Sequence, residues 1–179
     1  MKITIERATP ENIGDIGKCN GVFTVDSKLI LNIINDEINY RIVEAPRYEK
    51  RYADEGIDYA TYLNNAKKVI FLAYVGDQIA GRIILRKNWN QYTYIEDIAV
   101  DIKFRKMGIG KKLISEAKKW NLENKLKGIM LETQNNNVGA CKFYEKCGFH
   151  LGGFDKNLYK GLHEGTAEIA LYWYYMIDS

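Results

Sequence analysis

Two stretches of this 179-residue chain have residue types at spacings that could do chemistry. The first is Arg105-Lys106-Met107-Gly108-Ile109-Gly110, an R-x-x-G-x-G run between a strand-like and a helix-like segment. Glycines let a backbone approach a ligand closely, and the unbonded N–H groups at a helix N-terminus, with the helix dipole behind them, favour phosphate. Lys103, Arg105, Lys106, Lys111 and Lys112 fall within ten residues and supply charge for a diphosphate. There is no G-x-x-x-x-G-K-[ST], and Leu113 stands where a dinucleotide fingerprint needs its third glycine, so neither common nucleotide motif applies. By itself such a glycine pair fits a tight turn as well as an anion site.

The second stretch is Asn137-Val-Gly-Ala140-Cys-Lys-Phe143-Tyr144, leading to Gly148-Phe149. Tyr144 carries a phenol that can donate a proton, although a tyrosine on an amphipathic helix is also an ordinary core residue. Carboxylates that could take a proton or meet a cation are Glu96, Asp97 and Glu132, each equally able to be a solvated or paired acid. On a regular strand Glu96 projects to the face of Ile98 and Val100, and Asp97 to the other. Glu44, Asp54, Glu55 and Asp58 could add acidic walls or merely cover a solvated surface.

These residues need elements to hold them. Ile3 to Arg7 reads as a strand, and Thr9-Pro10 as the start of a helix of about two turns. Residues 20 to 53 are mixed, with an apolar run at Leu29 to Ile34, a strand near Tyr40 to Glu44, and Pro46 as a breaker. Asp58 starts a predicted helix through Asn65. Lys68 to Val75 and Gln78 to Leu85 flank a Gly76-Asp77 hairpin turn, and Tyr92 to Val100 forms another strand. Leu113, Ile114, Ala117 and Trp120 recur at helical spacing after the glycine run. Ile129 to Thr133 forms a strand, Gln134 to Asn137 a polar connection, and Ala140 to Cys147 a second helix ending before Gly148. Phe149 to Tyr159 and Thr166 to Met176 close the order as strands.

The length favours a single domain over residues 1–179, and 46% hydrophobic with 27% charged residues excludes disorder and low complexity. A net charge of +3 does not by itself announce nucleic acid or membrane. Cys19, Cys141 and Cys147 form no CxxC, and no apolar run reaches the roughly 20 residues of a membrane span, so a cytoplasmic protein with reduced thiols and no metal site is expected. Cys141 has no nearby histidine to activate it. His150, His163, Trp89, Trp120 and Trp173 read as structural or core residues, and nucleic-acid binding is not expected.

Together, Ile98-Ala99-Val100, the Arg105 to Gly110 run and the Asn137 to Phe149 stretch resemble the fingerprint of the GCN5-related N-acetyltransferase (GNAT) family, with Ile98 in place of the usual leucine. Within it, Glu44-Ala-Pro-Arg-Tyr, Leu85 to Val100 and Met130 to Asn137 resemble the streptothricin acetyltransferase group, which the N-terminal 40 residues of this chain match least. The resemblance implies an α/β (α+β) GNAT fold: a mixed, mostly antiparallel sheet flanked by helices, with a splayed parallel strand pair at which acetyl-CoA binds. It also implies direct acetyl transfer to an amine of the β-lysine arm of streptothricin, with no metal. Ile98, Ala99 and Val100 would pair with pantetheine. N–H groups from Arg105, Lys106, Gly108, Ile109, Gly110 and Lys111 would hold the diphosphate. Asn137, with Ala140 and Phe143 on the same helix, would bind the pantetheine arm, and Tyr144 would protonate the departing thiolate. Glu96 or Glu132 would deprotonate the amine, with Asp97 and Glu44 against a small cationic substrate. A polyamine, an aminoglycoside or a protein N-terminus are other acceptors, and a non-catalytic acyl-CoA-binding protein, monomer or homodimer, is a rival of another class.

Overall fold

The computed structural model describes residues 2–52 and 56–177. Its strands are β1 (Ile3–Arg7), β2 (Phe23–Ile34), β3 (Glu37–Lys50), β4 (Lys68–Val75), β5 (Gln78–Lys87), β6 (Thr93–Val100), β7 (Gly128–Gln134), β8 (His150–Asp155) and β9 (Ala170–Met176). The helices are α1 (Ile109–Glu123) and α2 (Val138–Lys146), with short 3-10 turns at Ile13–Lys18, Tyr59–Tyr62, Ile102–Phe104 and Leu158–Gly161. The chain divides into two compact units, Met1–Val22 with Arg51–Ile129 and Phe23–Lys50 with Met130–Ser179.

In the first unit the strand order is β1-β4-β5-β6, with β1-β4, β4-β5 and β5-β6 all antiparallel. One side of these strands carries a core of Ile16, Tyr62, Ile70, Leu72, Tyr74 and Ile84. α1 packs on β4, β5 and β6 and buries Ile109, Leu113, Ile114, Ala117 and Trp120, the helical spacing expected from the sequence. Each fully buried Leu or Ile there is worth about 1.5–3 kcal/mol, so packing rather than intrinsic propensity holds this helix. At its far end, buried Asn121 accepts from the Thr93 hydroxyl at 2.6 Å and donates to Leu126 O at 3.1 Å, tying α1 to the root of β6.

Two predicted helices of this unit are 3-10 turns. After Thr9-Pro10 the chain turns once and forms Ile13–Lys18, where Gly14 and Gly17 weaken helix propensity. Asp58 does cap as expected, accepting from Ala60 N–H at 3.1 Å, but the turn stops at Tyr62 and Asn64 takes a positive φ of 51°. Trp89, expected in the core, is 87% exposed in the connection between β5 and β6.

The second unit holds the order β7-β9-β8 and a separate β2-β3 ribbon. That ribbon replaces the mixed region expected near residues 20 to 53. Asn35 and Asp36, at φ 50° and 64°, form the tight turn, a conformation these two residue types tolerate better than most. Val25 pairs with Tyr48 and Ser27 with Glu44, so Asp26 is opposed by three residues, and Pro46 lies in that bulge, where a missing N–H costs no ladder bond. The Gln134–Asn137 connection is a buried hub. Asn135 exchanges backbone bonds with Leu29 and Ile169, and its side chain donates to Leu29 O at 3.1 Å and accepts from Ile169 N–H at 3.0 Å.

Candidate functional site

In the first unit the expected anion loop follows the end of β6. Asp101 caps the Ile102–Phe104 turn, Lys106 takes φ 65°, and Gly108 precedes α1 at φ 83°, a conformation that admits glycine without strain. No side chain among the described residues caps α1, and the first bond of the helix is Lys112 N–H to Gly108 O at 3.1 Å. The N–H groups of Ile109, Gly110 and Lys111 therefore lie ahead of the helix ladder, with Lys103, Lys106, Lys111 and Lys112 exposed around them. This arrangement fits a diphosphate. The Arg105 side chain points elsewhere: its guanidinium donates to Val100 O at 3.2 Å and to Val22 O.

Gly81 lets α1 sit close to the strands. A Cβ there would meet Ala99 O at 2.8 Å and the side chains of Ile109 and Leu113 at 3.2 Å. Ile98, Ala99 and Val100 pair with Ile83, Arg82 and Gly81 and are half-buried.

Just before them the register slips. Asp97 pairs with Ile84 and Ile95 with Leu85, so Glu96 is the extra residue of a β-bulge. The alternation expected from a regular strand is lost at this point. Asp97 accepts from Arg82 Nε at 2.6 Å, while Glu96 accepts from Arg86 Nε at 3.0 Å and from the Tyr62 hydroxyl at 2.6 Å. Arg82, Ile84 and Arg86 alternate along one face of β5, and Ile84 belongs to the Ile16 core, so both carboxylates turn to that face rather than to opposite ones. Burial, then the Glu96 carboxylate beside it, raises the Tyr62 phenol well above its ordinary value, so Tyr62 is a donor to Glu96.

In the second unit Asn137 caps α2, its Oδ1 accepting from Ala140 N–H at 3.3 Å. Tyr144 is 6% exposed, with Phe143, Phe149 and Trp173 ring centroids at 5.6, 6.0 and 6.3 Å. Glu132 on β7 accepts from the hydroxyl of buried Tyr159. The Tyr172 phenol is raised above its ordinary value, by burial first and then by the carboxylates of Glu132 and Asp155. Burial pushes the Cys141 thiol up to about 12, leaving it protonated and without nucleophilic character.

Within the first unit the structure thus brings Ile98, Ala99 and Val100 to the root of the loop that carries Arg105, Lys106, Gly108, Ile109, Gly110 and Lys111. Within the second it places Asn137, Ala140, Phe143 and Tyr144 on one helix. Glu44 is exposed on β3, beside the bulge, and Asp58 is exposed. Asp54 and Glu55 lie outside the described residues. Tyr159 and Asn20, both partners of these segments, carry no motif that would pick them out of the sequence. Among the described residues, no group of three or more His, Cys, Asp or Glu is placed to hold a metal, and no helix is long and apolar enough to cross a membrane.

Residues 33–149 match the family model described as the acetyltransferase (GNAT) family. The chain is 46% identical over 176 residues to a streptothricin acetyltransferase of Escherichia coli, spanning 98% of this chain and 95% of that one. It is 39% identical to streptothricin acetyltransferase A of Bacillus subtilis (strain 168), over 96% of this chain and 98% of the relative. A Bacillus anthracis protein solved in complex with acetyl coenzyme A superposes with a TM-score of 0.93 at 45% identity, covering 98% of this chain and 100% of that one.

Proposed function

The chain belongs to the GNAT acetyltransferase family, with that family's mixed α/β fold and acetyl-CoA-dependent N-acetyltransferase activity, and we propose that its acceptor is an amine of streptothricin. The observation carrying this reading is the 46% identity to the E. coli streptothricin acetyltransferase along nearly the whole chain. The likeness covers the N-terminal segment and the β2-β3 ribbon as well as the loop and α2 common to the wider family. Acetylation of the β-lysine arm would give antibiotic resistance.

Acetyl-CoA supplies an activated thioester. The chain's loop at Arg105 to Lys111 holds the diphosphate on backbone N–H groups, and the exposed lysines offset its charge. Transfer forms a C–N bond to the amine and breaks the C–S bond, so the amine must lose a proton and the thiolate must gain one. A lysine-type amine has an ordinary pKa of about 10.4, which makes a base necessary near neutral pH. We assign the base role to Glu132, whose carboxylate accepts a phenol O–H, from Tyr159, because Glu96 is a strut, with one oxygen on Arg86 and the other on Tyr62. Tyr144 gives the thiolate its proton, and its aromatic surroundings fix the phenol's orientation. Asp97 is tied to Arg82, which leaves exposed Glu44, with Glu132, as the carboxylates assigned to the cationic substrate.

The test is thiol release from acetyl-CoA with streptothricin, a polyamine, an aminoglycoside and an N-terminal peptide as acceptors. Streptothricin should give the highest kcat/KM, and release no faster than hydrolysis would refute the assignment.

A further inference from the structure

The loop that follows β6 is fastened from a distant part of the sequence. Asp101 is 7% exposed, and its carboxylate is divided between two backbone donors: Lys103 N–H at 2.9 Å on Oδ1 and Asn20 N–H at 2.8 Å on Oδ2. The link is reciprocal, since Ile102 N–H donates to Asn20 O at 3.1 Å, and Asp101 N–H donates to Ala80 O at 2.9 Å. Asn20 is held in turn, its Oδ1 accepting from Val22 N–H at 3.2 Å and from Arg51 Nη2 at 2.8 Å. Two residues on, Val22 O accepts from Arg105, whose Nε also reaches Val100 O at 3.2 Å. A Cβ on Gly21, between these anchors, would come within 3.4 Å of the Ala99 Cβ, so the segment passes close over the end of β6.

Like charge makes a carboxylate at the root of an anion-binding loop a liability unless it does something else there. Asp101 faces two N–H donors and is mostly shielded from water, which suits a holder of loop shape better than a ligand. Arg105, the cation of the R-x-x-G-x-G run, spends its guanidinium on two carbonyls and leaves the phosphates to backbone N–H groups and lysines. We infer that Asp101 and Arg105 are positioning residues that clamp the diphosphate loop to the Asn20–Val22 segment, so that affinity for CoA depends on that segment although it supplies no motif.

This inference rests on the reading that the loop holds the diphosphate of CoA. It is tested by calorimetric titration of CoA into the unmodified protein, Asp101→Asn and Arg105→Met, with a thermal melt of each. Asp101→Asn removes the carboxylate charge and replaces one of its two accepting oxygens by an NH2 donor, and Arg105→Met removes both carbonyl contacts while keeping an apolar stem of similar length. The loss of charge-assisted bonds should weaken CoA binding about tenfold or more in each variant, measured well below its melting temperature. In turnover the KM for acetyl-CoA should rise by a similar factor while kcat stays within about twofold, a split that a general loss of structure would not produce. Variants that melt earlier but bind CoA as tightly as the unmodified protein would overturn the clamp. Failure of the unmodified protein to bind CoA would overturn the loop assignment and the clamp with it. Failure to acetylate streptothricin while CoA binds normally would refute only the acceptor, and the clamp would stand on the titration.

Discussion

Replacing Gly81 with alanine should separate the contribution of helix placement from that of loop chemistry. The added Cβ would sit 2.8 Å from Ala99 O and 3.2 Å from both Ile109 Cγ2 and Leu113 Cδ1. The carbonyl is backbone in a paired strand and cannot swing aside, so β6 and α1 must both shift away from Gly81 on β5 by some tenths of an ångström. Overpacking of this kind costs about 1–3 kcal/mol. For a chain of this size 1 kcal/mol corresponds to roughly 2–4 °C, so melting should fall by about 2–12 °C. Ile109 opens α1, so the same displacement should raise the KM for acetyl-CoA several-fold. Gly139→Ala is the control: it lies in α2, a Cβ there meets nothing within 4 Å, and alanine favours helix by up to about 1 kcal/mol, so melting should hold or rise. Scanning calorimetry on the three proteins is the assay. A Gly81→Ala protein that melts within a degree of the unmodified one, with unchanged KM, would refute the close approach of α1 to the strands.

Tyr144→Phe should lower kcat by tenfold or more with little change in CoA affinity, and full activity would remove the phenol as the proton donor. Glu132→Gln should cut kcat/KM and shift its pH profile, whereas Glu96→Gln should chiefly lower the melting temperature, because it weakens the Arg86 and Tyr62 contacts; the reverse pattern would exchange their roles. Burial pushes the Cys19 thiol up to about 11 and that of Cys141 to about 12, so in the folded chain both keep their protons to higher pH than in the unfolded chain. The stability that this contributes is full below the ordinary thiol value near 9 and is lost as pH rises through 11 to 12. Denaturant titrations should therefore show falling stability above about pH 9, with a shallower fall in Cys141→Ala, and an identical slope would contradict the burial argument. At pH 8 the half-buried Cys147 should react first with a thiol reagent.

The two helices and the glycine-bearing loop between β6 and α1 are legible in the sequence because each is a local device. Leu113, Ile114, Ala117 and Trp120 mark a buried stripe, Gly108 marks a positive φ, and Asn137 marks a cap, none needing a distant residue to be recognised. What is not legible depends on register or on long-range partners. The Glu96 bulge reverses the strand-face argument because a single extra residue shifts a period of two. The β2-β3 ribbon hides behind a turn of Asn35-Asp36 that lacks the glycine of the usual signal, and behind Pro46, which marks a bulge rather than a break. The partners of the carboxylates, Tyr62, Arg82, Arg86 and Tyr159, are ordinary core or strand residues until the fold brings them together.

The central claim is tested most directly by identifying the product. Incubated with acetyl-CoA and streptothricin, the protein should yield a singly acetylated antibiotic whose fragmentation in a mass spectrometer places the acetyl group on an amine of the β-lysine arm. Unmodified streptothricin after prolonged incubation with protein that binds CoA normally would contradict the account.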